Sequence, residues 1–78
     1  MDLYITEMKI HIGHAIRDEI RRQERSVAWF ARQICCTRPH VYRIFEKENI
    51  DVQLLQKICS VLGHDFFKDI SDSINSGN

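Results

Sequence analysis

Ile12, Ile16 and Ile20 recur at every fourth position with Ala15 beside them, while Arg17, Asp18, Arg21 and Arg22 fill the opposite side. That period is helical, and it predicts a first amphipathic helix over roughly 9–24. Ser26 is suited to cap the next helix, because its hydroxyl accepts from an otherwise unpaired N–H. Val27, Phe30, Ala31 and Ile34 then give one apolar face over about 27–34. Thr37 offers a second cap; Pro39 has no N–H, so the N–H of His40 is the natural recipient, and a third helix follows over 38–46. Its inward face is Val41, Ile44 and Phe45, which leaves Arg38, His40, Tyr42, Arg43 and Lys47 turned away from the core or flanking it.

Asp51 caps a fourth helix, with Ile50 placed just before the cap to pack on Leu55. Leu55, Ile58, Cys59 and Leu62 continue the apolar stripe until Gly63, where a left-handed backbone is cheap, ends it. Asp65 starts a short fifth helix through Phe66, Phe67 and Ile70, with Cys59 read as a core residue. No segment alternates apolar and polar residues over a strand's length, so the fold class is all-α, a compact bundle of four to five short helices. The helical domain is placed at 9–70, with an N-terminal extension over 1–8 and a disordered tail over 71–78.

The chain has 78 residues, 44% hydrophobic and 28% charged, with one proline and three glycines, which is ordinary globular composition for one small domain. No run approaches the roughly 20 apolar residues that cross a bilayer. The start carries Asp2 and Glu7 rather than a basic, apolar signal, so a soluble, cytoplasmic protein is expected. Cys35, Cys36 and Cys59 cannot all pair within one chain, and two are adjacent, which suits reduced thiols. Formal net charge is zero, but residues 9–47 hold nine bases against four acids, a local +5 that the acidic ends cancel.

Only Cys35, Cys36 and Thr37 separate the second and third helices, which is the spacing of a helix-turn-helix corner. In that motif the second helix enters the major groove with its first residues at base edges. Arg38, Pro39, Tyr42 and Arg43 fall at the groove-facing positions. Arg38 and Arg43 suit guanine, since a guanidinium donates two hydrogen bonds at once to N7 and O6; either can instead hold a phosphate. Ser26, Thr37 and the free N–H groups at the starts of the two helices suit phosphate oxygens. His40 and Lys47 complete the candidate interface.

Over about residues 12–67 the sequence resembles the lambda-repressor-like, or XRE, family of helix-turn-helix regulators. The resemblance rests on Ile12-Gly13, Ser26, Phe30-Ala31, Ile34, Thr37, Val41, Ile44, Leu54-Leu55, Ile58 and Leu62, spaced without a gap. It implies that Ala31 is small because the third helix crosses there, and that positions 38, 39, 42 and 43 read bases. The chain departs from the family at Val27, where a DNA-contacting glutamine is usual, and at Cys35, where glycine is usual; Cys35 strains the turn by about 1 kcal/mol if its φ is positive.

The expected partner is double-stranded DNA, bound by a homodimer, since one reading helix gives few contacts. Phe66, Phe67 and Ile70, with Tyr4, Ile5 and Met8, either supply that dimer surface or cap the monomer core. Trp29 is read as packing at the core or its rim. His11, His14, His40, His64 and the cysteines lack zinc-site spacing, and nothing resembles a nucleophile motif, so no metal, cofactor, small-molecule ligand or enzymatic activity is expected. The rival reading is a protein-interaction module, antitoxin-like or accessory, that keeps the fold without binding DNA specifically.

Overall fold

The structure, a computed structural model, describes residues 10–75, and every element among them is helical. In chain order these are α1 (Ile12–Arg22), α2 (Val27–Gln33), α3 (Arg38–Glu46), α4 (Val52–Leu62) and α5 (Phe66–Asn75). The expected extension over 1–8, with Tyr4, Ile5 and Met8, lies outside the described residues.

Helix starts follow the capping logic. Ser26, Thr37 and Asp51 each accept from the backbone N–H three residues on, at Trp29, His40 and Leu54. α1 begins at Ile12 rather than at 9, because the His11 ring nitrogen Nδ1 takes the cap role and accepts from the His14 N–H at 3.1 Å. It also ends two residues before the expected 24. Glu24 adopts φ +57, its N–H donates to the Arg21 carbonyl at 2.9 Å, and the Arg25 N–H reaches back to Ile20 at 3.0 Å. Those two bonds close the helix end around a left-handed residue. α4 stops at Gly63, φ +62, as its glycine predicts. α5 extends to Asn75, which corrects the disordered tail for 71–75: Ile74 continues the helical stripe of Phe67 and Ile70, and Lys68 pairs with Asp72 at 3.8 Å across one turn. Residues 76–78 lie outside the described residues.

The five helices share one core. Ile16, Phe30, Val41, Ile44, Ile58 and Phe66 are fully buried at its centre, with Ile12, Ile20, Ala31, Ile34, Phe45, Leu55 and Leu62 around them. Phe66, expected either on a dimer surface or as a cap on the core, is instead a central core residue, while Cys59 is half-buried and its sulfur accepts from the Phe66 N–H at 3.4 Å. α3 is held by both α1 and α2. At Gly13 a β-carbon would stand 2.3 Å from the Phe45 carbonyl oxygen, so only glycine lets α1 approach the end of α3 this closely. The first free N–H groups of α1, at Ile12 and Gly13, donate to the carbonyls of Glu48 at 3.1 Å and Lys47 at 2.9 Å. The orientation of α3 is thus fixed by backbone contacts as well as by side-chain packing.

At the other end of α1 a polar cluster ties it to α4 and α5. Glu19, buried at 7% exposure, accepts from Arg22 and Gln23, and Gln23 also donates to the Leu62 carbonyl at 2.7 Å. His64 bridges Glu19 at 3.7 Å and Asp69 at 2.5 Å. The hydrogen bond from Arg22 holds the Glu19 carboxyl down at about 2, against the opposing push of burial and with help from Gln23 and His64.

Candidate nucleic-acid interface

The corner between α2 and α3 is built by the same device that ends α1. Cys35 takes φ +58, its N–H donates to Arg32 at 3.3 Å, and the Cys36 N–H donates to Ala31 at 2.8 Å. Ile34 turns into the core here. The chain leaves the corner through Thr37, in extended geometry, and enters α3 with Pro39 in its first turn. Because Val41, Ile44 and Phe45 are anchored in the core, the remaining α3 positions face out.

All eight residues singled out from the sequence are exposed: Ser26, Thr37, Arg38, Pro39, His40, Tyr42, Arg43 and Lys47. Tyr42, at 54% exposure, stands edge-on to Phe45, with ring centres 6.0 Å apart. Among the described residues neither Arg38 nor Arg43 has an acidic partner, so both guanidinium groups keep their donors for a ligand. The Ser26 and Thr37 hydroxyls accept from the N–H groups of Trp29 at 3.0 Å and His40 at 3.4 Å. Each still has its own proton to donate.

Three further arginines belong to the same surface and were missed in the sequence. Arg17, Arg21 and Arg25, with Ile20, Val27, Tyr42, Phe45 and Glu46, line an open depression of about 360 Å³ between α1, the start of α2 and α3. Arg17 is engaged with Asp18 at 3.2 Å, whereas Arg25 lies over the Trp29 ring, 4.3 Å from its centre. Trp29 is accordingly half-buried at the rim of the core. The spacing of 17 and 21 was readable as one helix side. The return of Arg25 toward Tyr42 was not, because it depends on the left-handed Glu24, a residue type that carries no turn signal.

Among the described residues no group of three or more His, Cys, Asp or Glu is arranged to hold a metal ion, and no helix is long and apolar enough to cross a membrane. Cys35, Cys36 and Cys59 are free thiols. No protein-family model matches the chain, and neither a curated protein nor a solved structure is significantly similar to it.

Proposed function

We propose that the chain is a sequence-specific, double-stranded DNA-binding transcriptional regulator of lambda-repressor-like type, in which α2 and α3 form the helix-turn-helix and α3 reads the major groove. The observation that carries this reading is the outer side of α3. A helix fixed to the core by Val41, Ile44 and Phe45 presents Arg38, Tyr42 and Arg43, with both arginines unpaired among the described residues. An α-helix about 10–12 Å across fits a groove about 12 Å wide. Arg38 and Arg43 then reach base edges, and Pro39 and Tyr42 supply apolar contact. Ser26, Thr37, His40 and Lys47 hold phosphates, and Arg21 and Arg25 extend that basic track along the end of α1.

A homodimer is part of the proposal. Phe67 and Ile74 are exposed on α5, at 37% and 68%, on either side of Ile70, which packs against the core, so an apolar stripe reaches the surface of this helix among the described residues. The same stripe is what favours the second reading, a protein-interaction module. Selection from a pool of random duplexes separates the two. The proposal predicts enrichment of one recurrent site, two-fold symmetric if the protein binds as a dimer, whereas a pool that stays random at low salt contradicts it.

A further inference from the structure

We infer that Cys35 and Cys36 form a chelating dithiol site for a soft, thiophilic metalloid, of which a trivalent arsenical is the simplest representative. The inference stands apart from the DNA reading. The two thiols are consecutive in the corner between α2 and α3, and neither is in a disulfide. Cys35 is exposed and holds φ +58, where a β-carbon is costly and glycine is not. Cys36 is half-buried, and its sulfur donates to the Ile34 carbonyl at 3.4 Å.

Adjacency decides which chemistry fits. Consecutive α-carbons across a trans peptide lie about 3.8 Å apart, and no peptide bond among the described residues is cis. Ordinary disulfides span about 4.4–6.8 Å between α-carbons. A direct S–S bond between Cys35 and Cys36 is therefore too short-spanned to be the favoured product. One larger atom bonded to both sulfurs enlarges the ring and lets the sulfurs stay further apart. Soft thiolates select such polarizable acceptors over hard cations. Zinc asks for four ligands, and no group of three or more His, Cys, Asp or Glu is placed to supply them among the described residues. A pyramidal arsenic carrying one organic group needs only the two sulfurs.

Phenylarsine oxide is such an acceptor. Its oxygen leaves as one water with the two thiol protons, two S–As bonds form, and arsenic stays trivalent. The second bond is intramolecular, which gives the pair a large advantage over either thiol alone. Closing the chelate also engages the segment immediately before Thr37, the cap of α3.

The test treats the folded full chain with phenylarsine oxide and measures intact mass while glutathione is titrated in. Wild type and Cys59→Ser are expected to hold one phenylarsenic unit, displaced only at about a hundredfold more glutathione than from Cys35→Gly or Cys36→Ser, the low end of the gain from a second tethered bond. Cys35→Gly relieves the left-handed residue and so keeps the fold. Amide NMR of the wild-type adduct should move signals of residues 34–40 and leave those of 19–23 in place. Equal retention by Cys35→Gly or Cys36→Ser, loss of retention in Cys59→Ser, or no adduct on wild type overturns the inference.

Discussion

Two of the described residues occupy left-handed backbone without being glycine, Glu24 at φ +57 and Cys35 at φ +58. Each pays for its β-carbon in that region, and both side chains are exposed, so burial returns nothing. Glu24→Gly and Cys35→Gly are therefore each expected to stabilise the fold by about 0.5–1 kcal/mol, the relief of strain outweighing the extra freedom glycine has when unfolded. In thermal denaturation that is a rise in Tm of several degrees for a domain of this size; a fall would mean that these side chains hold the turns together. Residue-level signals were legible where the residue type has one physical role. Thr37 with Pro39 two places on pointed to the His40 N–H, and Gly63 marked the end of α4. Glu24 was illegible because nothing in a glutamate announces a positive φ; its conformation follows from how α2 packs.

Among elements, α2, α3 and α4 were readable to within a residue from caps and apolar spacing, since those signals are local. Both ends of α1 and the far end of α5 were not. α1 starts where its N–H groups meet the carbonyls of residues 47 and 48, a contact across the fold. The polar run Ser71-Asp72-Ser73 hid the continuation of α5 to Ile74. The inner end of α1 also depends on tertiary chemistry, through Glu19. Arg22, Gln23 and His64 face its carboxylate, and Asp69 stands behind His64. Its pKa is lowered from 4.5 to about 2 in the folded protein, so its contribution is fully present above pH 4.5 and is lost as pH falls toward 2. Because Arg22 is largely exposed, that contribution is on the order of 1–3 kcal/mol rather than the full value of the shift. Glu19→Gln should lower stability at pH 7 by this amount and flatten the decline between pH 4.5 and 2, measured by urea denaturation. An unchanged acid limb would show that other carboxylates set it.

At the scale of the whole molecule, a neutral chain concentrates its bases in the segment that forms α1 to α3, and the fold gathers them further. Arg38 and Arg43 were legible as a face because α3 has a clear core side. The addition of Arg21 and Arg25 needed the three-dimensional arrangement around Tyr42. What remains for experiment is whether that surface reads duplex DNA. The most direct measurement is a titration of wild type, Arg38→Ala and Arg43→Ala against the duplex recovered by selection and against an unrelated one, repeated over a range of salt concentrations. If α3 reads the duplex, each variant loses about 1–3 kcal/mol on the selected duplex wherever its arginine pairs with a guanine. Discrimination relaxes there as well, while an arginine that holds a phosphate instead lowers the salt slope by about one. Affinity, discrimination and salt slope all unchanged in both variants would contradict that reading.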